Sequence, residues 1–141
     1  LGTAGSIKYI ENTSNKNLLV VNGDILINLN FSSLVNFHVQ NNFDATIAVA
    51  RHEIKVPFGV IDFDKKGDLL DIREKPSIVN YVSSGIYVLS PKFQELAKTK
   101  GKLDMPELIS LGRSLSLNIG IFPLHEKWTD IGNIEDFKKV N

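Results

Sequence analysis

The sequence predicts an α/β fold in which a mostly parallel, Rossmann-like sheet carries one antiparallel hairpin. Short apolar runs, such as Leu18–Val21 and residues 46–50, alternate with segments of helical periodicity along the chain. Further on, Lys65-Lys66-Gly67 separates two stretches of alternating polarity, which is typical of a hairpin. Because ligands of open α/β sheets bind beyond the carboxyl ends of the strands, polar residues at those ends are the candidate site residues.

The first elements follow from capping residues and apolar runs. Thr3 is predicted to cap a short helix that includes Ile7 and Ile10. Leu18–Val21 is apolar without interruption, so we expect a strand that is covered on both faces. Ser32 or Ser33 is expected to cap a helix that reaches residue 39 and ends at the two asparagines 41–42.

The later elements follow in order from the same rules. Pro91 suits the first turn of a helix, and Asp104 suits the N-cap of another. Asn133, with Asp136 three residues later, is a capping arrangement for a final helix. The predicted segments are strands at 46–50, 81–89 and 117–124, hairpin strands at 60–64 and 70–74, and helices at 91–97, 105–111 and 134–140.

Composition narrows the class of protein. The 141 residues suit one domain, and 16 basic residues balance 16 acidic ones, which argues against nucleic acid as a partner. The absence of cysteine excludes disulfides and thiolate zinc sites, and it is consistent with a cytoplasmic protein. No apolar run approaches the ~20 residues that span a bilayer, so we expect no membrane partner.

Two carboxylates stand next to predicted strand ends or turns. Asp24 follows Leu18–Val21, with Gly23 allowing a sharp turn, and Asp130 lies between Trp128 and the final predicted helix. Either aspartate alone is as well explained as a turn or capping residue. Together they match Mg²⁺, which typically takes one or two protein carboxylates and completes its shell with phosphate oxygens and water.

A charged pair follows the predicted hairpin. Glu74 could accept hydroxyl groups of a sugar, Lys75 could neutralise a phosphate, and Pro76 is expected to hold Lys75 in an extended conformation. Gly59 and Gly85 could admit a ligand close to the backbone. The alternative is a solvated ion pair at a strand end and two glycines that only mark bends.

The order of several motifs resembles that of the sugar-phosphate nucleotidyltransferase family, the nucleotide-sugar pyrophosphorylases. The resemblance covers almost the whole chain, and the ordered set is more specific than any one motif. These motifs are Leu1-Gly2-Thr3-Ala4-Gly5, Val21-Asn22-Gly23-Asp24, Pro57-Phe58-Gly59-Val60, Glu74-Lys75-Pro76, Ser84-Gly85-Ile86-Tyr87-Val88-Leu89 and Trp128-Thr129-Asp130-Ile131-Gly132. Within the family, the chain is most similar to mannose-1-phosphate guanylyltransferase-like enzymes.

The resemblance implies transfer of a nucleotidyl group from an NTP, with GTP favoured, to a sugar 1-phosphate, in the synthesis of nucleotide sugars for surface glycans. Mg²⁺ is the implied cofactor, held by Asp24 and Asp130. The remaining implied roles are substrate contacts: Gly2 and Thr3 to the nucleobase, Gly59, Glu74 and Gly85 to the sugar, Lys75 to the sugar phosphate, and Ser84 where relatives often carry an asparagine that reads the sugar.

The sequence departs from the family at its start. Members begin with a glycine-rich loop containing an arginine, followed by a Lys-Pro segment, and these parts cradle the triphosphate. The sequence begins at Leu1 without either part. We therefore expect residues 1–141 to be the C-terminal portion of a single catalytic domain, inactive alone, with Leu18–Val21 as an exposed apolar edge. Either self-association into a homo-oligomer or some unusual cover of the sheet edge would then shield this strand.

Two alternatives remain open from the residues. A GT-A glycosyltransferase uses a similar sheet, but such enzymes usually bind metal through an Asp-x-Asp pair, whereas Asp24 is followed by Ile25 and Leu26. A non-catalytic nucleotide-sugar-binding or regulatory module would suit the missing phosphate cradle. Retention of both candidate metal carboxylates favours the enzyme.

Overall fold

The structure, a computed structural model, describes residues 2–10, 15–98 and 101–130. The predicted helix at 134–140 and its caps lie outside the described residues. The elements, in chain order, are a short 3-10 helix at Ile7–Tyr9, β1 (Leu18–Val21), β2 (Ile25–Ile27), α1 (Phe31–Gln40), β3 (Ala45–Lys55), β4 (Val60–Phe63), β5 (Leu69–Arg73), β6 (Ser77–Leu89), α2 (Pro91–Lys98), α3 (Met105–Ser114), β7 (Ile119–Pro123) and β8 (Trp128–Asp130).

The strands form one four-stranded sheet and two ribbons. The sheet has the order β1-β6-β3-β7, in which β1 runs antiparallel to β6 and β3 runs parallel to β7. One ribbon pairs β4 with β5 as the predicted antiparallel hairpin, and the other pairs β2 with β8. The predicted α/β class with a hairpin insert is therefore confirmed, with an antiparallel strand at one end of the sheet.

The described chain divides into two compact units. Residues up to Ala50 and from Ser83 onward form the first unit, and Arg51–Val82 form the second. Strands β3 and β6 are both longer than predicted because they continue from the first unit into the second.

The core of the first unit lies where α2 and α3 pack together. Phe93 of α2 is fully buried, and a Cβ atom at Gly112 of α3 would stand 2.3 Å from its ring. The missing side chain at Gly112 therefore lets the aromatic ring lie directly against α3. The rest of this core consists of Ala4, Ile7, Ala45, Tyr87, Leu89, Ala97, Leu103, Met105 and Leu108.

Three local predictions were wrong. Asn30, not Ser32 or Ser33, caps α1, because its Oδ1 accepts the Ser33 backbone N–H at 3.3 Å. Thr3 does not cap the first helical turn, which begins after Ser6. Strand β1 is not covered on both faces: its residues alternate between half-buried and exposed, as expected at the end of a sheet. Strand β1 stands at one end of the four-stranded sheet, and its Val21 is 42% exposed.

No helix among the described residues is long and apolar enough to cross a membrane.

A buried histidine joins α1 to the sheet. His38 is 2% exposed, and its Nδ1 lies 2.9 Å from the Thr46 hydroxyl of β3. Burial lowers the pKa of His38 below its usual value, and the Asp44 carboxylate only partly opposes that effect. The neutral imidazole is therefore the form that the folded state favours.

We predict that folding stability is fully present above about pH 6.5 and falls as the pH drops from there toward the lowered pKa of His38, because only the unfolded chain then gains a proton readily. Urea denaturation at a series of pH values measures this slope. His38→Gln should flatten it while keeping a hydrogen-bonding partner for Thr46. An unchanged slope in His38→Gln would show that another group is responsible.

Candidate metal and nucleotide site

The Ser84–Gly85 segment of β6 has a backbone conformation that favours glycine. Gly85 has φ +78°, and a Cβ atom there would lie 2.7 Å from Nδ2 of Asn22. The Asn22 backbone N–H donates to the Gly85 carbonyl at 2.9 Å. Gly85 thus allows the chain that leaves β1 to lie close to β6 just before it reaches Asp24.

Asp24 is exposed in the turn that leads from Asn22 into β2. Strand β2 pairs antiparallel with β8, and Ile25 stands opposite Asp130 in that ribbon. Directly opposite residues of an antiparallel pair have Cα atoms about 4.5–5.5 Å apart. The backbone therefore brings the two predicted metal-binding aspartates, 106 residues apart in sequence (130 − 24), to neighbouring positions.

The β2–β8 ribbon was not predicted from the sequence. We expected Trp128 and Asp130 in a turn before a helix, whereas both lie in β8. Strand β2 has only three residues, Ile25–Ile27, and its partner comes about a hundred residues later, so neither segment shows a local strand pattern. The apolar triplet directly after Asp24 was the one available signal.

Ser84 links the ribbon to the sheet through its side chain and its backbone carbonyl. Its hydroxyl is buried and donates to the Ala48 carbonyl of β3 at 2.8 Å, and its own carbonyl accepts the Trp128 indole N–H at 3.0 Å. Ser84 is 1% exposed and its hydroxyl is already hydrogen-bonded, so this side chain makes a structural contact, and the sugar contact that the resemblance implies stays a prediction.

The donor set at this edge suits Mg²⁺ bound together with a nucleotide. Asp24 is open to solvent, and Asp130 occupies the position opposite its neighbour Ile25. In the described part of the chain, no three His, Cys, Asp or Glu side chains converge as a metal-binding group. Two carboxylates leave most of an octahedral shell to phosphate oxygens and water, which is how Mg²⁺ is usually bound at phosphate sites.

Gly2 and Thr3 lie against the N-terminus of α3. Thr3 Oγ1 accepts the Met105 backbone N–H at 2.9 Å, and the Thr3 backbone N–H donates to Asp104 Oδ1 at 2.9 Å. Gly2 has φ +75°, and a Cβ atom there would lie 2.4 Å from the Leu103 carbonyl oxygen. These contacts fix the position of both residues, which the resemblance assigns to the nucleobase.

Gly59, Glu74 and Lys75 come together in the second unit, where the hairpin closes. The Lys75 backbone N–H donates to the Phe58 carbonyl at 3.2 Å, and a Cβ atom at Gly59 would lie 3.2 Å from Glu74 Oε2. The Glu74 and Lys75 side chains are 75% and 69% exposed and lie 3.9 Å apart, so their ion pair contributes little to stability. Both charges are free to meet a ligand.

The expected extended conformation of Lys75 was wrong. Lys75 has φ +44°, a left-handed conformation that is rare for residues with a Cβ atom. Pro76 disfavours only the right-handed helical region for the preceding residue, and the Phe58 hydrogen bond at the hairpin base holds the left-handed alternative.

A second carboxylate of this unit, Glu53, has its pKa lowered by a hydrogen bond from Ser77 and by its pairing with Arg51. Arg51 Nη1 lies 2.9 Å from Glu53 Oε2. Arg51 and Glu53 both lie on β3, Ser77 lies on β6, and nothing in the sequence motifs assigns the pair a role.

Comparison with known proteins identifies the family. Residues 1–141 match the family model described as nucleotidyl transferase, and the chain belongs to that family. The mannose-1-phosphate guanylyltransferase catalytic subunit beta of Drosophila melanogaster is 30% identical over 146 residues, which cover 97% of this chain and 38% of that protein. The glucose-1-phosphate adenylyltransferase of Acetivibrio thermocellus is 28% identical, over 99% of this chain and 36% of that protein.

Solved structures agree with this assignment. HddC from Yersinia pseudotuberculosis is similar with a TM-score of 0.65 and 26% identity, over 99% of this chain and 60% of that one. The same protein in complex with GMP-PN has a TM-score of 0.64 and 25% identity. The chain therefore spans little more than a third of these curated relatives and about 60% of this structural neighbour, and the predicted resemblance to nucleotidyltransferases is confirmed.

We predict that Gly85→Ala destabilises the protein by more than the ~1–2 kcal/mol that left-handed backbone costs a residue with a Cβ atom, because the new methyl group also collides with Asn22. Urea denaturation measures the loss.

Two control variants separate the strain from the collision. Gly67→Ala carries the strain alone, since Gly67 has φ +92° and open space around its Cα. Adding Asn22→Ala to Gly85→Ala should recover the excess. Equal costs for Gly85→Ala and Gly67→Ala would contradict the contact.

Proposed function

We propose that the protein containing this chain transfers a nucleotidyl group from an NTP to a sugar 1-phosphate, releasing a nucleotide-sugar and pyrophosphate. The observation that carries the proposal is the β2–β8 pairing, which brings the Asp24 turn beside the Asp130 position. Membership of the nucleotidyl transferase family and the names of the relatives support the same reaction.

The reaction exchanges one phosphoanhydride bond for another. An oxygen of the sugar phosphate forms a bond to the α-phosphorus of the NTP, and the bond from that phosphorus to the oxygen bridging to the β-phosphate breaks. Pyrophosphate leaves with the electron pair. Catalysis of such a displacement depends mainly on alignment of the reactants and neutralisation of phosphate charge.

In the proposed site, Asp24 and Asp130 would hold Mg²⁺, which supplies positive charge to the phosphates. The two aspartates would supply oxygen ligands of the kind that this ion prefers, and phosphate oxygens and water would complete its shell. As the resemblance implies, Lys75 would contact the sugar phosphate, and Gly59, Glu74 and Gly85 would each contact the sugar. Gly2 and Thr3 are proposed to contact the nucleobase through atoms not used at the start of α3.

The finer assignments are also proposals. GTP is favoured because one relative is named a guanylyltransferase and a structural neighbour was solved with GMP-PN, although another relative is named an adenylyltransferase. We propose that residues 1–141 are a C-terminal portion of a single catalytic domain, in agreement with the share of the relatives that they span. A cytoplasmic role in nucleotide-sugar synthesis for surface glycans suits the cysteine-free sequence.

We predict that Asp24→Asn and Asp130→Asn each lower kcat for pyrophosphate release by about 100-fold or more, since each removes one charge-bearing ligand near the reacting phosphates. The assay uses the intact protein with Mg²⁺ and a panel of NTPs and sugar 1-phosphates. Asp68→Asn, an exposed aspartate of the hairpin turn, is the matched control and should retain activity. Near-normal turnover of either site variant would refute the metal assignment, and no pyrophosphate from the unaltered protein would refute the reaction.

We predict that substitutions of Lys75 affect substrate binding and folding stability separately. Lys75→Met should raise the KM for the sugar 1-phosphate by about tenfold or more, because a hydrogen bond to a charged group is worth about 1.5–3 kcal/mol. Lys75→Gly should raise KM equally, yet be more stable than Lys75→Met by about 1 kcal/mol, because glycine relieves the left-handed strain. Steady-state kinetics and urea denaturation measure the two effects. An unchanged KM in Lys75→Met would exclude the sugar-phosphate contact.

A further inference from the structure

Two separate segments donate hydrogen bonds to the carbonyls of the Ser84–Gly85 segment. The Asn22 backbone N–H reaches the Gly85 carbonyl at 2.9 Å, and the Trp128 indole N–H reaches the Ser84 carbonyl at 3.0 Å. The first donor stands two residues before Asp24, and the second stands two residues before Asp130. Both chain segments that carry the candidate metal ligands are thus hydrogen-bonded to adjacent peptide units of β6.

The β2–β8 ribbon needs such attachments to hold its position. It consists of three residue pairs, from Ile25 opposite Asp130 to Ile27 opposite Trp128. A two-stranded ribbon of this length is at best marginally stable in water. Asn22 fastens the end where β2 begins, and the Trp128 indole fastens the opposite end.

Ser84, whose carbonyl accepts the Trp128 indole hydrogen bond, is itself held in place. Ser84 is 1% exposed and its hydroxyl donates to the Ala48 carbonyl at 2.8 Å, which ties β6 to β3 in the middle of the sheet. The hydrogen bonds therefore run from the ribbon through Ser84 to the central strands. A rigid supporting layer of this kind is what holds ligating groups at a productive geometry.

We propose that Trp128 is a positioning residue whose indole N–H, bonded to the Ser84 carbonyl, holds the strand bearing Asp130 beside the Asp24 turn. The proposal rests on the proposed function for the identity of the two aspartates as metal ligands. In this proposal, the hydrogen bond of the Trp128 indole has a role that is separate from the hydrophobic packing of its ring.

The test separates the effect of the Trp128 indole N–H from the effect of the packing of its ring. Site-specific replacement of Trp128 with benzothienylalanine substitutes sulfur for the N–H with nearly the same shape. Trp128→Phe provides a second variant made by ordinary mutagenesis. Tyr87→Phe is the matched control, because it removes a different side-chain hydrogen bond of β6, the 2.7 Å contact with Ser83.

Two readouts do not depend on turnover: amide hydrogen exchange of β2 and β8, and the affinity of the intact protein for Mn²⁺ alone, measured by electron paramagnetic resonance. Both Trp128 variants should accelerate exchange in the ribbon about tenfold and weaken Mn²⁺ binding about tenfold, whereas Tyr87→Phe should change neither. In the intact protein, the same variants should lower kcat for pyrophosphate release more than they raise KM for the sugar 1-phosphate.

Unchanged exchange and Mn²⁺ affinity in the benzothienylalanine variant would overturn the proposal. Faster exchange with unchanged Mn²⁺ affinity would also overturn it, because the hydrogen bond would then be only structural. Weaker Mn²⁺ binding together with no pyrophosphate release from the unaltered intact protein would support the positioning role and refute the transferase function.

Discussion

The left-handed backbone at Gly85 is the constraint on which the arrangement of the candidate metal site depends. With φ +78° and no Cβ atom, this residue lets Asn22 lie against β6, and its carbonyl receives the Asn22 N–H. In the preceding residue, Ser84, the hydroxyl donates to the Ala48 carbonyl within the sheet, and the carbonyl accepts the Trp128 indole N–H. One short segment of a central strand therefore determines where two distant parts of the chain meet.

This arrangement would support the proposed cation site, whose two aspartates lie in short segments outside the core. Asp24 lies in a turn and Asp130 ends a three-residue strand, and neither segment has a core of its own. Hydrogen bonds from both segments to β6 stabilise them, because the sheet supplies the support that the short segments lack. Lys75, in the second unit, is positioned differently. Its side chain is exposed, and a strained left-handed backbone at the base of the hairpin sets its position.

Local patterns in the sequence predicted the elements that local interactions determine. Pro91, Asp104 and the Lys65-Lys66-Gly67 turn predicted α2, α3 and the hairpin because caps and turns act over a few residues. Contacts between distant residues were not predictable in this way. Thr3 bonds to Met105 and Trp128 bonds to Ser84, across 102 and 44 residues, and the sequence around each gives no sign of its partner. The ordered motifs predicted the candidate aspartates, but the pairing that joins them required the structure.

The most direct test of this account is the position of a bound cation. Crystals of the intact protein with Mn²⁺ and a non-hydrolysable GTP analogue would show the ion by its anomalous scattering. The account predicts one Mn²⁺ coordinated by carboxylate oxygens of both Asp24 and Asp130 and by phosphate oxygens of the nucleotide, with the Trp128 indole bonded to Ser84. An ion bound by neither aspartate, or a nucleotide bound away from the β2–β8 ribbon, would contradict it.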